Sequence, residues 1–262
     1  MTDQFAEVLG TQIHYEALGE GTAVILIGWS NLVLWDDQWE PFARRHRVIH
    51  YDVRGRGQTA DPPGQFRDHD DLRGLLDHLD ISQAALVGFS GGGKIALDFA
   101  LVYPEMVDKL VLVGPGLGGY EWTQAGRADR VEAGRDAYKR GDIEQAAELW
   151  TQTWVDGLSR TSAEVDPAVR SRAYDRVLHN MRTPEGEGER QEIDPPAIER
   201  LGDIQAPTLV ILGEHDTPDI HAIVELLMNG IPNARLVEMD DVGHMLNMEK
   251  PAEFNRIVLD FL

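Results

Sequence analysis

The chain has 262 residues, of which 42% are hydrophobic, and this is enough for one large domain or for one domain with a sizeable insertion. Lysine and arginine number 24 against 45 aspartate and glutamate residues, and the net charge of −21 argues against nucleic acid and anionic membranes as partners. The absence of cysteine excludes disulfides, thiolate zinc sites and cysteine nucleophiles, and it fits a cytoplasmic protein.

Strand-like and helix-like segments alternate along the chain. The start, MTDQFAEVLG, has no basic stretch followed by an apolar one, so we expect no secretory signal, and no apolar run has the roughly 18 residues of a membrane helix. Helices are predicted over Asp70–Asp80, whose leucines share one face, and from Lys94 towards Pro104. This alternation predicts a mostly parallel sheet with helices on both faces. The predicted strands are Gln12–Leu18, Ala23–Gly28, Arg47–Asp52, Ala84–Phe89, Lys109–Gly114, Thr208–Gly213 and Ala234–Met239.

The middle of the chain departs from this alternation. From about Gly118 to Pro196 the sequence is helix-like and amphipathic, contains no strand-like run, and ends in the acidic stretch RTPEGEGERQE, which reads as a loop. A helical block between two sheet strands predicts a cap over the carboxyl edge of the sheet, where open α/β folds bind ligands. The sequence therefore predicts a core of residues 1–117 and 197–262 and a helical cap of residues 118–196.

A glycine-rich turn joins the predicted strand at Ala84–Phe89 to the helix after it. Its sequence, GFSGG, matches the G-x-S-x-G pattern of a nucleophile elbow, a sharp strand-to-helix turn that exposes a serine hydroxyl. Gly88 and Gly92 are required because side chains there would strike the neighbouring strand and helix. Ser90 is thus the candidate nucleophile, and the backbone N–H of Gly91 is one candidate oxyanion donor at the helix N-terminus.

A serine hydroxyl needs a base near neutral pH, and nine histidines compete for that role. His244 follows a glycine in the loop between the last predicted strand and the last helix, which should lie on the same edge of the sheet as Ser90. A carboxylate must then fix the tautomer of this histidine. Asp216 lies just past a strand and gives the order Ser–Asp–His expected of the arrangement. Asp240 and Asp241 are alternatives close to His244 in sequence.

No metal site is predicted. The group His215, Asp216, Asp219 and His221 has a spacing that matches no zinc motif, and Asp216 is better used beside the histidine.

The remaining site predictions concern the oxyanion hole and the substrate pocket. The backbone N–H of Trp29, in the loop after the strand that ends at Gly28, is the candidate for the second oxyanion donor, and its ring is a candidate for the pocket lining. Substrate contacts are also predicted for Met245 and for aromatic side chains of the cap. Ordinary packing of the cap onto the core explains these rings equally well. The cap aromatics are Tyr120, Trp122, Trp150 and Trp154, of which the last two share a helix face.

Taken together, these motifs resemble the α/β-hydrolase family over essentially the whole chain. The residues that carry the resemblance are LIG, YDVRGRGQT, GFSGG, GEHDTPD and GHMLNMEKPAEFNRIVLDFL. The resemblance implies an eight-stranded, mostly parallel sheet and a serine hydrolase without a cofactor. The family usually has His-Gly at the first turn, whereas this chain has Ile27-Gly28, which affects the oxyanion loop rather than the triad. Members that cleave epoxides or carbon–halogen bonds carry aspartate at the elbow, so Ser90 argues against both activities.

Within the family the chain looks most similar to small bacterial esterases and to the 3-oxoadipate enol-lactonase-like group. We therefore expect cleavage of a carboxylic ester or lactone, with a small molecule as the substrate, through an acyl-enzyme. Other chemistry on the same residues stays open: opening of acyl-homoserine lactones, carbon–carbon bond hydrolysis, or peracid formation. A ligand-binding, receptor-like protein on the same fold is a further alternative. Arg54 and Arg56 are candidates for gripping a substrate carboxylate, although a structural role in their turn is favoured. A homodimer is possible.

Overall fold

A computed structural model describes residues 4–28, 32–183 and 186–262, in which eight strands form one sheet. Their order across the sheet is β1-β2-β4-β3-β6-β7-β9-β10, with β1 and β2 antiparallel to their neighbours and the other pairs parallel. The predicted mostly parallel sheet of eight strands is confirmed. The strands are β1 Gln4–Val8, β2 Thr11–Leu18, β3 Ala23–Ile27, β4 Arg47–Tyr51, β5 Gly64–Phe66, β6 Ala84–Phe89, β7 Val107–Val113, β8 Gly188–Arg190, β9 Thr208–Gly213 and β10 Ala234–Met239.

Helices cover both faces of this sheet. Within the described residues, none of them combines the length and the apolar character that crossing a bilayer requires. The cytoplasmic location and the possible homodimer inferred from the sequence stay predictions. The helices are α1 Asp36–Ala43, α2 Asp68–His78, α3 Gly91–Val102, α4 Ala128–Lys139, α5 Ile143–Thr151, α6 Pro167–Arg182, α7 Pro218–Gly230, α8 Leu246–Glu249 and α9 Pro251–Phe261.

The central strands are apolar on both faces because helices pack against each side. In β3, Ile25 and Ile27 join one hydrophobic cluster with residues of α2, α3 and α7, whereas Val24 and Leu26 join a second with residues of α1 and α9. Every residue of β3 is buried, as is every residue of β6. This double burial explains why both strands are continuous apolar runs rather than alternating ones.

Two features of the sheet structure differ from the sequence-based expectations. Strand β1 precedes the first predicted strand and pairs with β2, although the adjacent apolar residues Phe5 and Ala6 break the alternation that would indicate a strand. The expectation of no strand between Gly118 and Pro196 is wrong at β8, which pairs in parallel with β5. The three residues of β8 are partly or fully exposed, so backbone pairing rather than a hydrophobic pattern defines this strand.

Residues 118–196 lie between β7 and β9 in the chain, and we call them the insert. It contains α4, α5 and α6, with α5 continuing into a π-helical turn at Gln152–Asp156. A strand pair links the insert back to the core, because β8 belongs to the insert and β5 to the core.

Candidate active site

Ser90 lies on the sharp turn between β6 and α3. Its backbone has φ +53° and ψ −118°, a conformation that costs a non-glycine residue roughly 1–3 kcal/mol. A Cβ on Gly88 would lie 2.5 Å from the carbonyl oxygen of Gly92, and a Cβ on Gly92 would lie 2.1 Å from that of Ile27. Only glycine fits at both places, and the strained turn presents the serine at the carboxyl edge of the sheet.

The third glycine of α3 has a packing role of its own. A Cβ on Gly93 would lie 2.6 Å from the Cβ of Pro115, in the segment that follows β7. The three glycines after Ser90 therefore do not share one explanation. Gly92 and Gly93 allow close approach to two different neighbours, and Gly91 is the first residue of α3.

We expect Gly92→Ala to destabilise the fold by about 1–3 kcal/mol, because the added methyl group would overlap the end of β3. Denaturant unfolding measures this change. Gly202→Ala is the matched control, since no heavy atom lies within 4 Å of the position its Cβ would take. Equal stability of the two variants would contradict the proposed contact with Ile27.

A chain of hydrogen bonds joins three side chains from distant parts of the sequence. His244 Nε2 lies 3.0 Å from Ser90 Oγ, and His244 Nδ1 lies 2.7 Å from Asp216 Oδ2. The second oxygen of Asp216 accepts from the backbone N–H of Thr217 at 2.7 Å. With its proton on Nδ1, the imidazole turns an acceptor lone pair towards the hydroxyl. We call Ser90, His244 and Asp216 the triad.

The two sequence-local alternatives to Asp216 lie elsewhere. Asp240 and Asp241 are both exposed, and the backbone N–H of Asp241 donates to Glu214 at 2.9 Å. The carboxylate of Asp216, in contrast, is completely shielded from solvent beside His244. The structure therefore brings Asp216 to the histidine and leaves the other two at the surface.

A cavity of about 1340 Å³ opens over the triad, between the core and the insert. Ser90, Gly91, His244 and all five described side chains predicted to contact substrate line it: Tyr120, Trp122, Trp150, Trp154 and Met245. Trp29, the remaining predicted oxyanion donor and pocket residue, lies outside the described residues. Gly91 is placed suitably at the N-terminus of α3, and its role as a donor stays a prediction.

Ten basic residues line this cavity in the described part of the chain, and five of them form ion pairs with carboxylates: Arg54 with Asp71, Lys94 with Asp98 and Glu192, Arg127 with Asp219, Arg172 with Asp37, and Arg190 with Asp68. Arg130 donates to the backbone carbonyls of Gln152 and Gly157 at 2.6 and 3.4 Å, so these contacts leave its charge uncompensated. Asp61 and Glu192 are the acidic residues among the described lining. The basic residues that line the cavity are Arg54, Arg56, Lys94, Arg127, Arg130, Arg135, Lys139, Arg172, Arg176 and Arg190.

The buried guanidinium of Arg54 has a structural partner. It donates to both oxygens of Asp71, from Nε at 2.8 Å and from Nη2 at 2.7 Å. These hydrogen bonds raise the pKa of Arg54 despite the opposing effect of burial. Arg54 thus ties its turn to α2, as the sequence reading favoured, while Arg56 lines the cavity.

The triad-bearing segments are also tied to the insert. Among the ion pairs between insert and core in the described part of the chain, three use a core residue three to five positions after a triad member. Sequence reasoning did not find these pairs, since charged residues so far apart in the chain carry no shared pattern. They are Lys94 with Glu192, Asp219 with Arg127, and Glu249 with Arg160.

A buried amide network supports the loop that carries His244, and the sequence reading missed it as well. Asn247 Nδ2 donates to the carbonyl of Leu34 at 2.9 Å and to Gln38 Oε1 at 3.1 Å. Gln38 in turn donates to the carbonyl of Asn247 at 3.0 Å. Both side chains are fully buried, so these bonds fix the His244 loop against α1.

The sequence and the structure of this chain are similar to those of known hydrolases. A sequence model described as the alpha/beta hydrolase fold matches residues 16–251. The chain is 31% identical over 270 residues to a 2-hydroxy-6-oxononadienedioate/2-hydroxy-6-oxononatrienedioate hydrolase of Cupriavidus pinatubonensis (strain JMP 134), covering 96% of this chain and 90% of that protein. It is 31% identical over 266 residues to a 2-hydroxy-6-oxo-6-phenylhexa-2,4-dienoate hydrolase of Comamonas testosteroni, covering 95% and 91%.

A solved structure is similar over the same extent. The protein described as "Est816 as an N-Acyl homoserine lactone degrading enzyme" superposes with a TM-score of 0.76 at 27% identity, covering 99% of this chain and 100% of that one. The match therefore spans the insert as well as the core.

Proposed function

We propose, from the premise that this chain belongs to the α/β-hydrolase family, that it is a serine hydrolase. In this proposal Ser90 takes the acyl part of a carboxylate-bearing substrate and transfers it to water. The observation that carries the proposal is the hydrogen-bonded triad at the floor of a cavity lined by arginine and lysine.

In the proposed reaction, Ser90 Oγ attacks a substrate carbonyl while His244 Nε2 accepts the hydroxyl proton. Asp216 stabilises the imidazolium that forms, and the N–H of Gly91 donates to the oxyanion. His244 then gives its proton to the leaving group, and the acyl group stays on Ser90. Water, deprotonated by His244, attacks this ester in a second cycle, which releases the acid and restores the serine hydroxyl.

The first candidate for the bond cleaved is a carbon–carbon bond beside a ketone. The two curated relatives described above are named as hydrolases of 2-hydroxy-6-oxo dienoates. The 6-oxo carbon of such a compound is bonded only to carbon besides its oxygen, so hydrolysis at that ketone breaks a carbon–carbon bond. His244 must then deliver its proton to carbon, and the conjugated 2-hydroxy-dienoate part of the substrate accommodates the electron pair.

The second candidate is an ester or lactone, as the sequence analysis expected. The structural similarity to a lactone-degrading enzyme at 27% identity favours it. Here the leaving group is an alkoxide, and His244 delivers its proton to oxygen.

A substrate panel distinguishes the two. It contains a 2-hydroxy-6-oxo dienoate, 4-nitrophenyl esters of short acids and an N-acyl homoserine lactone. We expect the dienoate to give the highest kcat/KM. Its turnover is measured from the loss of its conjugated absorbance. A highest kcat/KM for an ester or lactone would favour the second candidate, and no turnover of any substrate would contradict the proposed function. The rate of the Ser90→Ala variant gives the background hydrolysis of every compound.

The charge of the cavity yields a further prediction. We expect the 4-nitrophenyl hemiester of glutaric acid to exceed neutral 4-nitrophenyl butyrate in kcat/KM by about 10-fold in low salt, because Arg130, whose charge no described carboxylate compensates, attracts the carboxylate of the hemiester. This preference should shrink as NaCl is raised to about 0.5 M, roughly three times the physiological ionic strength, where charges are screened within about 4 Å.

Matched arginine variants test where that preference arises. Arg130→Gln, inside the cavity, should lower it severalfold, whereas Arg256→Gln, on the exposed side of α9, should leave it unchanged. A preference for the neutral ester, or an equal loss in both variants, would contradict a carboxylate-bearing substrate.

A further inference from the structure

Two aromatic rings hold the imidazole of His244 in addition to its hydrogen bonds. The ring of Phe89 lies 4.9 Å from it between centroids, at an interplanar angle of 47°. The ring of Trp154 lies 4.8 Å from it, at 44°. Phe89 ends a buried core strand, but Trp154 belongs to the insert and is only partly buried. The position of Trp154 against the histidine therefore depends on what holds the tryptophan.

Arg127 lies over that tryptophan. Its guanidinium carbon is 4.5 Å from the ring centroid of Trp154 and 5.3 Å from that of Trp122, distances at which a cation is attracted to an aromatic face. Arg127 is 4% exposed, and its Nη2 donates to Asp219 Oδ2 at 2.8 Å. The cation is thus fixed on the protein side rather than free to turn into solvent.

Asp219 is held firmly enough to serve as the anchor of this contact. It is 1% exposed, and its Oδ1 accepts from the hydroxyl of Tyr120 and from both the N–H and hydroxyl of Thr123, at 2.7 to 3.1 Å. Its Oδ2 accepts from the N–H of Gln124 at 2.9 Å as well as from Arg127. Burial alone would raise the pKa of Asp219, but the hydrogen bonds from Arg127, Thr123 and Tyr120 outweigh it and lower the pKa to about 2.

The same short segment reaches His244 from two directions. Asp216 binds the edge of the imidazole at Nδ1, and Asp219, three residues later at the start of α7, reaches its face through Arg127 and Trp154. A shift of Trp154 would release the histidine face while leaving the hydrogen bond to Asp216 in place.

We propose that Arg127, anchored by Asp219, is a positioning residue that holds Trp154 against His244 and so keeps Nε2 in line with Ser90. This inference rests on the proposed serine hydrolase function. Arg127 also lines the cavity, so a role in binding substrate is the alternative that a test must separate.

The two roles predict different kinetics. As a positioning residue, Arg127 should affect proton transfer for every substrate, so Arg127→Leu lowers kcat about 10- to 100-fold for charged and neutral esters alike, with KM nearly constant. As a substrate-binding residue, it would raise KM for the carboxylate-bearing ester alone. The second outcome would overturn the proposal.

Trp154 variants keep the test independent of the buried ion pair. Trp154→Leu leaves Arg127 and Asp219 paired and should lose about as much kcat as Arg127→Leu. Trp154→Phe, which retains a ring, should recover most of it. The double variant Arg127→Leu/Trp154→Leu should be no slower than Trp154→Leu alone, because both act through one contact. Additive losses would overturn the proposal, and Arg256→Leu, at an exposed position of α9 outside the cavity, is the control.

A spectroscopic readout separates this inference from the proposed function. In the wild type, a downfield proton NMR signal from His244 Nδ1–H reports the bond to Asp216, and a fluorophosphonate probe labels Ser90. We expect Arg127→Leu to slow labelling at least severalfold and to broaden the proton signal, because water that reaches the uncovered face of the imidazole exchanges this proton faster while the bond to Asp216 remains. Failure of the wild type to label would refute the proposed function. Rapid wild-type labelling with unchanged labelling and an unchanged proton signal in the variant would refute only the role of Arg127.

Discussion

Ser90→Ala is expected to lower kcat by about 10⁴- to 10⁶-fold on every substrate that the chain hydrolyses, because no acyl-enzyme can form without the Oγ nucleophile. The residual rate reflects binding and oxyanion contacts alone. Alanine has the same Cβ as serine, so the strained turn at φ +53° and the melting temperature should be retained. Steady-state kinetics on the ester and dienoate substrates, with mass spectrometry of the trapped acyl-enzyme, measures the loss.

Ser159→Ala is the matched control for this experiment. Ser159 is exposed, and its hydroxyl lies 3.2 Å from the imidazole of His215, so it also forms a serine–histidine pair. We expect its removal to leave kcat unchanged. Retention of activity in Ser90→Ala, or a mass shift on a peptide that lacks Ser90, would refute the proposed nucleophile.

Asp216→Asn is expected to lower kcat by about 10⁴-fold while leaving KM nearly unchanged. An amide group that faces His244 donates to Nδ1 instead of accepting from it, which moves the imidazole proton to Nε2. Nε2 lies 3.0 Å from Ser90 Oγ and could then no longer accept the hydroxyl proton. Steady-state kinetics near neutral pH records the loss.

Asp240→Asn tests whether the effect is specific to the triad. It removes one exposed carboxylate close to His244 in sequence and changes the net charge equally. We expect wild-type kinetics. If Asp240→Asn were the slower variant, the assignment of Asp216 beside His244 would be wrong.

The triad could be predicted from sequence because each member lies in a locally recognisable place. Ser90 is surrounded by glycines that the turn requires, and Asp216 and His244 lie in loops directly after strands. The carboxyl ends of parallel strands share one edge of the sheet, so the three loops had to meet there. The local sequence patterns and the geometry of the fold were together sufficient to identify the three triad residues.

The surroundings of the triad could not be predicted in the same way. The partners Arg127 and Asp219 are separated by 92 residues, and in sequence each is indistinguishable from a solvated surface charge. Trp154 could be assigned to the cavity, but its contact with His244 depends on how the insert packs. Strand β8 has three residues and no apolar alternation, so only its partner β5 reveals it.

The ion pairs between the insert and the triad-bearing loops have a consequence for inheritance and engineering. An insert grafted from another family member would bring its own residues to the positions of Arg127, Arg160 and Glu192. If those residues did not match, the buried carboxylates of Asp219 and Glu249 would lose their arginine partners, a change that costs roughly 3–5 kcal/mol for each broken pair. New specificity should therefore arise by substitution of cavity-facing side chains, with insert and core loops inherited as one unit.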